Sequence, residues 1–238
     1  MTERRQKIKR VKRLQSTLQH VTLKEIEPLT KSQKQVFQSY FEGKHLFLSG
    51  VAGTGKTYCA LYLALKDLKD GIIDRIIIVR SAVSSREQGF LPGTLEEKSA
   101  VYEAPYADMC NNLLQRGDAY HLMKTGGAIS FMTSSFVRGI TFKNAVIILD
   151  EIQNFNSHEI SSVLTRVGDN CRVIACGDVF QNDLDVQRKR EDSGIQDFYD
   201  IVGIMKEFDL IEFGIHDIVR SGFVKSFLIA KMNLMRKK

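Results

Sequence analysis

No run of apolar residues in this chain approaches the roughly 20 needed to span a bilayer, so no membrane-crossing helix is expected. The basic N-terminus is not followed by an apolar core or a small-residue cleavage site, which argues against a secretory leader. Paired cysteines are missing too. Cys59, Cys110, Cys171 and Cys176 have no spacing of the zinc or redox kind, and they read as reduced, mostly buried thiols of a cytoplasmic protein. The five histidines are scattered, with no two at metal-ligand spacing. There is no internal repeat and no low-complexity segment. What remains is a 238-residue chain, 43% apolar and 26% charged, in the range of a soluble globular protein. That length allows one sizeable core and leaves little for a second full domain.

Acidic residues are scarce at both ends, and this controls the net charge of +6. Residues 1–13 carry seven Lys/Arg and one Glu, and residues 231–238 carry four basic residues and no acid. The body between them is slightly acidic. A basic arm such as RRQKIKRVKR can track a phosphate backbone or remain a solvated tail. Ile8, Val11, Leu14 and Leu18 recur at near-helical spacing, which predicts an amphipathic helix over part of the arm.

Past the arm, LTKSQKQVFQSYF predicts a helix entered through Thr30. Strands and helices then alternate. Strands are expected at His45–Leu48, Arg75–Val79, Ile129–Met132, Val146–Leu149, Val173–Cys176 and Leu210–Phe213. Helices are expected over residues 56–70, closed by Gly71, and over 96–117. Short β-branched runs without alternation, separated by helical patterns, predict an α/β fold with a parallel sheet covered on both faces. Ligands of such sheets sit outside the carboxyl ends of the strands.

The chemistry-bearing residues fall at that edge. GVAGTGKT, at Gly50–Thr57, is a complete G-x-x-x-x-G-K-[ST] phosphate loop between a strand and a helix. Gly50, Gly53 and Gly55 let the backbone bring its N–H groups onto phosphate oxygens, with Val51, Ala52 and Thr54 completing the loop and Tyr58 following it. Lys56 can reach the β- and γ-phosphates of a nucleotide, and the Thr57 hydroxyl can bind Mg²⁺. The apolar run Val146–Leu149 ends in Asp150 and Glu151. A carboxylate at the tip of a buried strand calls for a facing cation, so Asp150 is the expected partner of the metal held by Thr57. Glu151 is placed to polarise an attacking water. In CGDVFQ, Asp178 is expected to fix the turn. Gln181 becomes a candidate γ-phosphate sensor if the strand before it lies between the phosphate-loop strand and the Asp150 strand.

The order LTKSQ, GVAGTGKT, LDEIQ and GDVFQ resembles the Q-motif, Walker A, Walker B and motif III of superfamily 1 helicases. RSAVSSREQGFLPGTLEEK (residues 80–98), FVRGITFKNAVIILDEIQN, LTRVGDNCRVIACGDVFQNDL and the closing FGIHDIVRSGFV are more specific, and resemble PhoH-like ATPases over about residues 28–228. The resemblance implies a three-layer RecA-like P-loop NTPase domain at 28–230, between a basic arm at 1–27 and a basic tail at 231–238. It implies that Gln33 reads the adenine edge of ATP, and it supports the roles given to Lys56, Thr57, Asp150, Glu151 and Gln181. Three departures stand out: Val51 where the family usually has proline, RSAVSSREQ where it usually has R-P-A-V-E-A-G-E, and Ile152 in place of the alanine of D-E-A-Q.

A superfamily 1 helicase closes two such domains on ATP, the second supplying an arginine, and this chain has room for one. The expectation is therefore a homo-oligomer, by resemblance a hexameric ring, with Arg220 or Arg166 donated across the subunit contact. Arg80 and Arg138, both just after strands, are candidates for contact with nucleic acid or phosphate. Three functions compete: an ATPase acting on RNA or single-stranded DNA, an ATP-dependent switch or scaffold for protein partners, and a small-molecule kinase. The kinase reading lacks an arginine-rich lid and leaves Glu151 and Gln181 without a role.

Overall fold

The computed structural model describes residues 21–81, 95–178 and 194–235. Gln181, the GFLPG stretch, residues 1–20 of the basic arm and the last three residues lie outside the described residues. The elements run α1 (Lys31–Phe41), β1 (His45–Gly50), α2 (Lys56–Lys69), β2 (Arg75–Arg80), α3 (Leu95–Leu113), α4 (Ala119–Gly126) and β3 (Ile129–Thr133). They continue through β4 (Ala145–Asp150), α5 (Ser157–Leu164), β5 (Cys171–Gly177), α6 (Ile195–Ile204), β6 (Phe208–Phe213) and α7 (Gly222–Met235). All six predicted strands are present. The helix expected over 96–117 stops at Leu113, because Gln115 turns left-handed at φ +50°, and a separate helix, α4, follows. Thr30 caps α1 as expected, its hydroxyl accepting from the Gln33 N–H at 3.2 Å.

The strands form one all-parallel sheet in the order β3-β2-β4-β5-β1-β6. Both faces are covered, which explains the unbroken apolar runs. Leu46 and Leu48, Ile76 and Ile78, and Val146 and Ile148 point to one core under α1, α2, α3 and α4. Phe47, Ile77 with Val79, and Ile147 with Leu149 point to the other, under α5 and α6. The Phe198 ring lies 4.9 Å from Phe47 and 5.9 Å from Phe208, fastening α6 to β1 and β6. Each such pair adds about 0.5–1.5 kcal/mol beyond its buried area. Helix α2 runs through the first core, and Tyr40 donates to Asp67 on it at 2.6 Å. Among the described residues, no helix is long and apolar enough to cross a membrane.

Strand order decides what meets at the carboxyl edge. The chain leaves β1 for β2 across the two places later filled by β5 and β4, so the tips of β4, β5 and β1 are contiguous. β5 therefore lies between the phosphate-loop strand and the Asp150 strand, the arrangement on which the reading of CGDVFQ depends. Gly50, the last residue of β1, has φ +127°, and an added Cβ would sit 2.1 Å from the Phe213 carbonyl oxygen. Only glycine allows the chain to swing out there while the Val51 N–H still donates to that carbonyl at 3.1 Å. Gly50→Ala is expected to force β6 away from β1. Strain at that φ costs about 1–3 kcal/mol, so the thermal midpoint of the ligand-free protein should fall by about 2–12 °C. An unchanged melting curve would show that the loop exit tolerates a side chain.

Candidate active site

The phosphate loop turns through two further left-handed glycines, Gly53 at φ +78° and Gly55 at +84°, the latter capping α2. Its interior is braced by the chain itself. The Thr54 hydroxyl donates to the Val51 carbonyl at 2.9 Å, and the Lys56 ammonium donates to the carbonyls of Gly50 and Val51 at 2.7 and 2.8 Å. Burial lowers the Lys56 pKa, and the nearby carboxyl groups of Asp178, Glu151 and Asp150 oppose that shift. A cation thus sits within the loop with acids around it.

Gln33 reaches the loop from α1. Its amide accepts from the Leu29 N–H at 2.8 Å and donates to the Thr54 carbonyl at 2.9 Å. Gln33 is buried, and both ends of its amide are engaged by the chain. A primary amide has a second N–H and a second lone pair, so the adenine-reading role implied by the resemblance does not require either bond to open. In the structure Gln33 is a strut of the phosphate loop.

Opposite the loop stands the tip of β4. The two oxygens of buried Asp150 accept from different hydroxyls, Thr57 at 2.8 Å and Tyr106 at 2.6 Å. Burial and the Asp150 charge push the Tyr106 pKa up, so its hydroxyl stays protonated and donates. Glu151 follows in a left-handed conformation, φ +54° and ψ +49°, rare for a residue with a side chain. That twist separates its carboxylate from the strand direction. Burial raises the Glu151 pKa first, and the adjacent Asp150 charge adds to it; the Gln153 hydrogen bond, Arg80 and Lys56 act the other way. Gln153 donates to Glu151 Oε2 at 2.5 Å and accepts from the Asp178 N–H at 3.1 Å, so one amide ties β4 to the turn after β5. Asp178 is buried at that turn.

These groups enclose a cleft of about 490 Å³ lined by the phosphate loop, Arg80, Tyr106, Asp150, Glu151 and Arg220, among others. The guanidinium of Arg80 lies 5.5 Å from the Tyr102 ring centre, which braces it from α3. The sequence makes Arg220 a candidate for donation to a neighbour; in the structure it lines the cleft of its own chain, and a Cβ on Gly53 would lie 2.9 Å from Arg220 Cγ. The Val219 N–H donates to the Gly53 carbonyl at 3.1 Å and holds this segment on the loop. Arg166 and Arg138 lie elsewhere, together in an outer groove.

The donor set fits a nucleotide with a hard cation. Glycine-opened backbone and an ammonium suit phosphate. One hydroxyl and one carboxylate suit Mg²⁺, which keeps several waters and takes other ligands from phosphates. No cluster of three or more His, Cys, Asp or Glu is available for a metal among the described residues, so a dedicated all-protein cage is not the design there. Tyr106 and Gln153 touch the two acids of the site, and sequence reasoning misses both. Gln153 stands within LDEIQ and carries a signal there, whereas nothing local marks Tyr106.

A complete phosphate loop after β1, facing an Asp-Glu pair at the end of β4 in a parallel α/β sheet, defines a P-loop NTPase. Residues 25–231 match the family described as PhoH-like protein, and the chain belongs to that family. It is 34% identical over 208 residues to a PhoH-like protein of Mycobacterium leprae, covering 87% of this chain and 58% of that protein. Against Protein PhoH of Escherichia coli K12 the identity is 35% over 209 residues, covering 85% and 57%. The chain thus spans under two thirds of the length of these relatives. Among solved structures, the large terminase of a thermophilic bacteriophage is similar at a TM-score of 0.47 and 10% identity, covering 84% of this chain and 50% of that one.

Substitutions separate the roles at this site. Lys56→Ala is expected to weaken binding of a fluorescent ATP analogue by about 10- to 100-fold, the worth of a charge-assisted contact. Glu151→Gln should bind the analogue normally and lose ~10²–10⁴ in turnover. Hydrolysis at the normal rate would remove Glu151 from the chemistry. Tyr106→Phe deletes one hydroxyl and leaves the ring in place. The Mg²⁺ concentration needed for half-maximal nucleotide binding should rise by about 10-fold, and an unchanged requirement would make the Tyr106 contact purely structural.

Proposed function

We propose that this chain is a Mg²⁺-dependent ATPase whose hydrolysis is coupled to binding or remodelling of RNA or single-stranded DNA. The observation that carries the reading is Glu151: a half-buried carboxyl with a raised pKa, twisted off the end of β4 into the phosphate-loop cleft and steered by Gln153. Many nucleotide switches and small-molecule kinases of the P-loop class lack that second acid, and its presence favours hydrolysis coupled to motion. Bound Mg²⁺ would supply positive charge to the β- and γ-phosphate oxygens. Thr57 and Asp150 would hold it, with Tyr106 orienting the carboxylate. Lys56 and the loop amides grip the phosphates. Glu151 accepts the proton of the attacking water, and Gln153 relays its position to the Asp178 turn, beyond which Gln181 is our candidate sensor. Arg220 and Arg80 face the cleft from their own chain and are suited to stabilise phosphate charge in cis.

We assign ATP as the nucleotide, and a homo-oligomeric ring, a hexamer, as the working cytoplasmic form. The test is steady-state ATPase with and without single-stranded RNA and DNA, with Lys56→Ala as the blank. Stimulation of several fold is expected. Hydrolysis indifferent to nucleic acid, with no binding at low salt, would favour a switch or scaffold for protein partners. Light scattering with an ATP analogue that reports only monomer would overturn the ring.

A further inference from the structure

Outside the nucleotide cleft lies a groove of about 390 Å³ lined by Arg138, His158, Ser161, Ser162, Thr165 and Arg166. It lies where the turn after β3 packs against α5, on the face of the sheet opposite α2. None of its lining residues is acidic. Among the described residues, neither Arg138 nor Arg166 comes within 4.0 Å of a carboxylate. Arg138 is instead 3.4 Å from His158 Nε2, and Arg166 donates to the Ser162 carbonyl at 2.8 Å and the Thr165 hydroxyl at 3.3 Å. Two guanidinium groups gathered in a concave surface without a counter-charge repel one another unless an anion joins them. The same turn presents Phe136, 58% exposed, two residues before Arg138. Guanidinium groups lining a groove, hydroxyls between them and an exposed ring beside them are the elements of a single-strand track.

We propose that this groove holds the phosphate backbone of single-stranded nucleic acid, with Arg138 and Arg166 on phosphates and the Phe136 ring stacked on a base. The assignment rests on the coupling to nucleic acid proposed above and names its surface. It also supplies a route to the nucleotide. Glu159, on the inner side of α5, accepts hydrogen bonds from the hydroxyls of Ser134, at the start of the Phe136 turn, and of Ser81, the neighbour of Arg80 in the cleft. The same carboxylate closes the capping box of α5, accepting from the Asn156 N–H at 3.1 Å. That helix begins six residues after Glu151. A shift at the tip of β4 or β2 therefore moves the groove wall.

The test is fluorescence anisotropy of a labelled single-stranded oligouridine with the full chain, at salt between about 50 and 200 mM. Arg138→Ala/Arg166→Ala should bind at least 10-fold more weakly, and its salt slope should fall by about 1.4, two phosphate contacts at ~0.7 each. Phe136→Ala should weaken binding about 5-fold or more while keeping the slope. Thermal melts matching the parent protein establish that the variants fold. If the parent binds and the variants bind equally, the groove is wrong and the functional reading stands. A parent that binds no single strand at low salt sinks both. Preference for duplex, with Phe136→Ala silent, overturns the single-strand assignment. If Arg166→Ala binds oligouridine normally but loses ATPase that mixing with Lys56→Ala chains restores, the groove is a subunit contact and the proposal falls.

Discussion

A buried carboxylate at the end of a strand has to be compensated, and the site is organised around how Asp150 meets that demand. Taking an ionised group out of water costs several kcal/mol unless hydrogen bonds or a cation replace the solvent. Asp150 receives one hydroxyl from α2 through Thr57 and one from α3 through Tyr106. Two helices that pack on the same face of the sheet are thereby fastened to the strand that also carries Glu151. The oxygen facing Thr57 is the one adjoining the phosphate loop, so the group that satisfies Asp150 in the free protein lies where a metal-bound phosphate would compete for it.

Around this point polar contacts run from strand tip to strand tip. Gln153 joins Glu151 to the Asp178 turn, Glu159 joins the ends of β2 and β3 to the start of α5, and Val219 holds the segment after β6 on Gly53. Each link crosses between neighbouring strands at the carboxyl edge. A parallel sheet gathers these tips on one side, which is why a few short side chains can connect the nucleotide cleft to an outer surface. The cores beneath are apolar on both faces and supply the rigidity against which such links act.

Legibility from sequence follows the range of the interaction. The phosphate loop, the Thr30 cap and the strand runs are encoded within a few residues each, and all are readable. Tyr106 is not, because its partner lies 44 residues away on another element. Gln33 can be named, but the bonds that engage its amide, to Leu29 and across to Thr54, depend on how α1 lies on the loop. Arg220 is recognisable as an arginine near the end of the domain. Which cleft it faces is a matter of where β6 and the following turn deliver it. Helix α4 escapes the sequence reading because only residues 114–118 separate it from α3, with Gln115 left-handed among them, a break that helical periodicity does not register.

The sequence by itself determined the class: a glycine-opened phosphate loop with its lysine and threonine, an Asp-Glu pair closing an apolar strand, and alternating elements that require a parallel sheet. Those features are local, because a backbone that must turn left-handed or cradle an anion leaves few residue choices. Only the tertiary structure decided that β5 lies between β1 and β4, that Tyr106 and Gln153 hold the two acids, that Arg220 lines the cleft, and that Arg138 and Arg166 share a groove. Strand order and helix packing bring these residues together, and they depend on how apolar surface is shared between distant segments. No single stretch of the chain contains that information.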